Sequence, residues 1–216
     1  VDPELIRQLF ERFEQDKPEP KTELNYSNAF TLVTAVALSA QATDVSVNKA
    51  TGPLFAVADN PEDMLALGED RLMQMISSIG LYRNKAKNVM AMCRILIDHY
   101  GGDVPMNREA LISLPGVGNK TASVVLNEMD IEPAIAVDTH VYRVSHRLGL
   151  VDAGANTPDK VEKQLMQIIP KHWLSRAHHW LILHGRYVCV ARKPKCDICI
   201  VRDLCPKIGV DFTPLV

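Results

Sequence analysis

Four cysteines, Cys189, Cys196, Cys199 and Cys205, crowd into seventeen residues near the end of a 216-residue chain. The basic, aromatic-flanked stretch from Trp180 to Lys207 is too short and too rich in cysteine to pack a core alone, so a metal centre is expected to organise it. A disulfide framework fits poorly, because such frameworks belong to small exported domains with cysteines spread along the chain. The fifth cysteine, Cys93, stands apart in a helical pattern. The four are separated by six, two and five residues. Four thiolates hold either zinc or an iron–sulfur cluster. Zinc sites usually come as two close pairs and only Cys196 and Cys199 form one, so the spacing leans to a cluster while leaving zinc open.

The rest of the chain reads as helix. Apolar residues return every three or four positions in Leu5, Ile6, Leu9 and Phe13, and again in Val89, Met92, Cys93, Leu96 and Ile97. Strand-like alternation is nearly absent, and roughly ten helices are expected. Asn60-Pro61 and Thr157-Pro158 each set a capping residue before a proline at a first helical position, and Asn107 and Asp138 precede helical stretches. The stretch from Phe30 to Ala40 is apolar nearly all round, which predicts a central buried helix.

No apolar run approaches the roughly 20 residues that a membrane span needs. The first residues are acidic and amphipathic, which predicts no export signal within them and a cytoplasmic protein. A net charge of −2 argues mildly against nucleic acid as a partner. The distribution of charge changes that reading. Residues 1–24 carry seven acids against four bases, and residues 59–70 carry five acids and no base. Residues 171–207 carry eight bases against two acids, so one face can be basic while the whole chain is not.

Leu114-Pro115-Gly116-Val117-Gly118 is a tight turn between two helical patterns, the second starting at about Asn119. Its two glycines are free to take positive φ and to admit a close neighbour. The unpaired amides of the turn and helix start suit a phosphate. A plain connecting turn is the bland alternative. A nucleotide-binding Walker loop fails, because it needs glycine directly before the lysine and again five residues earlier, where this chain has Asn119 and Leu114. A weak echo links Ser78-Ile79-Gly80, then Asn84-Lys85-Ala86, to Ser113-Leu114-Pro115-Gly116, then Asn119-Lys120-Thr121. Both read as a turn feeding a helix.

The turn followed by Lys120-Thr121-Ala122 resembles the helix–hairpin–helix of base-excision DNA glycosylases. Ala136-Val137-Asp138-Thr139-His140 is similar to the segment that carries their catalytic aspartate. The resemblance is to the endonuclease III family. It runs from Ala40-Gln41-Ala42-Thr43-Asp44 through Gly80-Leu81-Tyr82 to His178-His179-Trp180 and the cysteine tail. It implies an all-α fold of two helical lobes with a cleft between them. One lobe would comprise residues 1–24 with 132–216, including the cluster loop at 189–205. The other would comprise 25–131, with the hairpin motif at about 107–129. It also implies a [4Fe-4S] cluster on the four tail cysteines, duplex DNA with damaged bases or abasic sites as partner, and a monomeric enzyme.

The implied activity is that of a bifunctional glycosylase and abasic-site lyase. It removes oxidised pyrimidines and cuts on the 3′ side of the abasic site by β-elimination. A monofunctional mismatch glycosylase and a non-catalytic DNA-binding iron–sulfur protein are the alternatives. Lys120 would be the nucleophile and Asp138 its partner. An amine attacks only when neutral; a helix start and partial burial in the cleft disfavour the ammonium form, whereas pairing with Asp138 would favour it. Without the resemblance Lys120 reads as a surface lysine and Asp138 as a helix cap, although capping and catalysis are compatible. Gln41 and Leu81 would fill the gap left by an extruded base. Gly116, Gly118 and Lys193, the last flanked by Arg192 and Lys195, would meet phosphates. Asp44 and His140 would line the pocket. His178, His179 and His184 read as packing or backbone-bonding residues.

Overall fold

The computed structural model describes residues 1–211. Among them every regular element is a helix: eleven α-helices and one short 3-10 turn. The chain divides into two compact units, one made of residues 22–132 and the other of residues 1–21 with the chain from 133 onward.

The continuous unit is built around α2 (Ala29–Leu38), whose residues from Phe30 to Val36 are all buried, together with Leu38. It is therefore apolar on every side, as its sequence predicts, and each fully buried large side chain contributes roughly 1.5–3 kcal/mol. It stops at Leu38, two residues short of the sequence expectation, because the chain then enters a turn closed by the Ala42 amide on the Ser39 carbonyl. Asn28 and Thr31 cap its start reciprocally. Against it pack α3 (Asp44–Val57), α6 (Tyr82–Tyr100) and α8 (Asn119–Glu128). Two short helices, α4 (Pro61–Leu67) and α5 (Glu69–Met75), cover α6. The buried stripe of α6 is Ala86, Val89, Met90, Met92, Cys93 and Leu96. Asn107 caps α7 (Arg108–Ser113) as expected, accepting from the Ala110 amide at 2.9 Å.

The second unit is closed from both ends of the sequence. Its helices are α1 (Pro3–Asp16), α9 (Thr139–Arg147), α10 (Pro158–Ile168) and α11 (Leu174–Tyr187). Phe10 and Phe13 of α1 pack on Trp173 and Trp180, and the Trp180 indole donates to the Lys17 carbonyl at 2.7 Å. The N-terminal helix is thus bonded into a core otherwise made by the chain from Ile135 onward. Arg12 extends that tie, pairing with Asp203 and donating to the Ile200 carbonyl beside the cysteine loop.

Candidate active site and cluster loop

The hairpin lies wholly in the continuous unit. Leu114 ends α7, the Val117 amide closes the turn on the Leu114 carbonyl at 3.1 Å, and α8 begins at Asn119. Leu114 and Val117 are buried and anchor the turn, while the residues from Gly118 to Lys120 are exposed. Gly116 needs its missing side chain twice over. Its φ is +78°, and a Cβ would lie 3.0 Å from the Asn88 Cβ. Gly118 departs from expectation: its backbone is extended, with φ −94° and ψ −177°, and a Cβ there would meet nothing. Only Gly116 therefore bends the turn.

Gly118 caps α8 without a side-chain acceptor for the first amides, which is the arrangement a phosphate would use. Arg108 of α7 secures that helix start, donating to the Asn119 Oδ1 at 2.7 Å and the Ser123 hydroxyl at 2.9 Å while pairing with Glu132. Lys120 is the second residue of α8 and is exposed. Lys120 does not show the partial burial expected of it.

Asp138 and His140 belong to the other unit. The buried residues Ala134 to Val137 lead into Asp138, which caps α9. Its Oδ1 accepts from the Val141 amide at 2.8 Å and its Oδ2 lies 2.9 Å from the His140 Nδ1. Both carboxylate oxygens are thereby held. The expectation of a capping aspartate stands, and His140 turns out to be that aspartate's own partner. Gly185 of α11 permits the arrangement: a Cβ there would come within 2.9 Å of the His140 Cβ and 3.1 Å of the Val144 Cγ2. Asp44 stands in the first turn of α3, in the continuous unit, behind the Thr43 cap.

Strained backbone coincides with the expected DNA contacts. Among the described residues, five non-glycine residues have positive φ, and Gln41 at +58°, Leu81 at +59° and Lys193 at +51° are three of them. Such a conformation costs about 1–3 kcal/mol and concentrates at functional positions. Leu81 is also 65% exposed, an unusual place for a leucine.

The four tail cysteines line one cavity, and the charged side chains in its wall are Arg147, Lys195, Arg202 and Lys207, with no carboxylate. Among the described residues no three His, Cys, Asp or Glu side chains are placed to share a single metal ion. An Arg147 guanidinium nitrogen lies 3.5 Å from the Cys189 sulfur, the His184 Nε2 lies 3.5 Å from the Cys199 sulfur, and the Lys207 amide donates to the Cys205 sulfur at 3.3 Å. Four thiolates around an iron–sulfur core carry net negative charge, and this wall of cations and N–H groups suits them. Burial pushes the Cys199 and Cys205 thiols up, so without a metal the proton is favoured there. Burial pulls His184 down to about 4, leaving its imidazole neutral near pH 7.

Two arginines of α9 hold the loop that leads into this site. Arg143 donates to the carbonyls of Gly185 and Cys189, and Arg147 to those of Val190 and Ala191. The Lys195 amide closes the loop on the Val188 carbonyl, leaving Arg192, Lys193 and Lys195 exposed. Sequence reading missed Arg108, Arg143, Arg147 and the place of His184 beside a cysteine. The four-residue spacing of the two arginines on α9 was the only signal, and it does not say what they bond.

The geometry fits a helix–hairpin–helix repair protein with an iron–sulfur loop. Residues 34–171 match the HhH-GPD superfamily of base excision DNA repair proteins, and residues 189–205 match the iron–sulfur binding domain of endonuclease III. The chain is 57% identical to endonuclease III of Rickettsia conorii, over 94% of this chain and 95% of that protein. It is 50% identical to endonuclease III of Escherichia coli K12, over 92% and 93% of the two. A solved structure of a trapped endonuclease III–DNA covalent intermediate superposes with a TM-score of 0.87 at 46% identity, covering 96% of this chain and 97% of that one. The chain belongs to the endonuclease III family of base excision repair glycosylase/lyases, and its cofactor is the family's [4Fe-4S] cluster.

Proposed function

We propose that this chain removes oxidised pyrimidines from duplex DNA and cuts the strand on the 3′ side of the resulting abasic site. The observation that carries the reading is Lys120, exposed at the start of a helix that follows the hairpin turn and has no side-chain cap. The damaged nucleotide is extruded from the duplex, with Gln41 and Leu81 entering the gap. Amides around Gly116 and Gly118 and the Lys193 loop take phosphates and fix the register. Bound DNA supplies the exclusion of water that the exposed lysine lacks.

The neutral Lys120 amine attacks the sugar's anomeric carbon. The bond to the base breaks and the base leaves with the bonding electrons, taking a proton from water; the sugar ring then opens as a Schiff base to Nζ forms, and the ring oxygen takes the proton released by the amine. Loss of a proton from the neighbouring carbon then expels the 3′ phosphate oxygen, and water finally releases the lysine. Asp138, fixed by the Val141 amide and His140, stabilises the cationic sugar as the base departs and accepts the proton from the attacking amine. Cys189, Cys196, Cys199 and Cys205 hold the cluster, whose task here is to order the basic loop. The enzyme works as a cytoplasmic monomer on nucleoid DNA.

The test is incubation with a duplex containing one thymine glycol. Base release together with strand scission is expected. Release without scission would make the protein a monofunctional glycosylase, and neither product, with binding retained, would make it a DNA-binding protein only.

A further inference from the structure

Lys85 is the lysine of the sequence echo, matching Lys120 in the second copy of the motif. It has a different employment. Its ammonium donates to the Ala40 carbonyl at 2.6 Å and to the Leu38 carbonyl at 3.0 Å. Its backbone amide meanwhile donates to the Leu81 carbonyl at 3.0 Å. One residue of α6 therefore touches both strained turns, that of Gln41 through its side chain and that of Leu81 through its backbone. Those turns lie about forty residues apart in sequence, and each presents a non-glycine residue at positive φ.

We propose that Lys85 is a positioning residue that locks the Gln41 and Leu81 turns to one another, so that they enter the duplex as one two-pronged device. The proposal rests on the reading above that these two side chains fill the gap left by the extruded base. Short, exposed turns held in an unfavourable backbone conformation relax unless something fixes them. Charge-assisted bonds to two carbonyls are the strong kind, and the carbonyls at the end of α2 favour a cation. With both bonds directed at backbone, the grip does not depend on which side chains occupy the turns. It also occupies the Lys85 amine, leaving chemistry to its counterpart Lys120.

A lysine that merely caps α2 would affect stability alone, so the test must read base displacement. The substrate is a duplex carrying thymine glycol opposite 2-aminopurine, whose emission rises when it is unstacked. Wild-type protein at saturation should raise the emission. Lys85→Met, which keeps the aliphatic stem, should give less than about half that rise and slow single-turnover excision at least about tenfold. Cleavage of an abasic site in single-stranded DNA, where no base need be displaced, should stay within about twofold of wild type. Lys85→Arg should restore most of the signal. If Lys85→Met does not fold, Lys85→Gln is read in the same assays.

Wild-type emission and excision in the Lys85 variant would overturn the proposal, as would an equal loss on single-stranded abasic substrate. Leu81→Ala and Gln41→Ala separate the two layers. If neither reduces the emission, the reading of the wedge fails and takes Lys85 with it. If they reduce it while Lys85→Met does not, the role of Lys85 alone is wrong.

Discussion

Asp138→Asn should lose base excision by about 10²- to 10⁴-fold while the protein remains folded. The asparagine Oδ1 can still accept the Val141 amide, so the cap survives and the stability change should stay within about 1 kcal/mol. What disappears is the negative charge, and with it the proposed stabilisation of a cationic sugar. The substitution thus tests the proposed catalytic role apart from the cap. Asp138→Ala should lose excision as well and also cost about 1 kcal/mol of stability, because it removes the cap. Single-turnover excision from a thymine glycol duplex and a denaturant melt check both. Near-normal turnover in Asp138→Asn would reduce Asp138 to a helix cap.

Cys199→Ser should abolish cluster binding. A serine hydroxyl is a poor replacement for a soft thiolate, and Cys199 is the ligand that His184 faces from the core. Iron should fall from about four per chain to below one, the visible absorbance of the cluster should vanish, and the segment between 188 and 205 should open to proteolysis. The core of this unit should weaken too, because Cys199, Leu204 and Cys205 pack against it around the fully buried Val201. Cys93→Ser is the control. Cys93 is buried in α6, where burial pushes its thiol up to about 12, and its replacement should leave iron content unchanged. Loss of iron in the Cys93 variant, or full iron in the Cys199 variant, would contradict the assignment.

Most helices were legible because their signals are local. Asn60, Asn107, Asp138 and Thr157 each cap the helix that their sequence context announces. The buried character of α2 follows from its composition alone. The cysteine cluster was legible for the same reason, since its ligands are close in sequence. The residues that support the site were not. Lys85 reaches carbonyls 45 and 47 residues away, and Arg143 and Arg147 reach carbonyls more than 40 residues on. A side chain bonded to distant backbone leaves no mark on the sequence it touches, because every residue has a carbonyl. Gly118 failed in the opposite sense: a glycine beside a turn invites positive φ, yet the turn needed only Gly116.

If Lys120 is the nucleophile, it becomes covalently joined to the sugar during turnover. Borohydride added to protein turning over a thymine glycol duplex should reduce the Schiff base to a stable secondary amine, giving a protein–DNA species that survives denaturing electrophoresis. Lys120→Gln should bind the same duplex and give no such species, and peptide mapping of the wild-type adduct should place the sugar remnant on Lys120. Trapping that persists in Lys120→Gln, or an adduct mapped to another amine, would show that Lys120 is not the nucleophile.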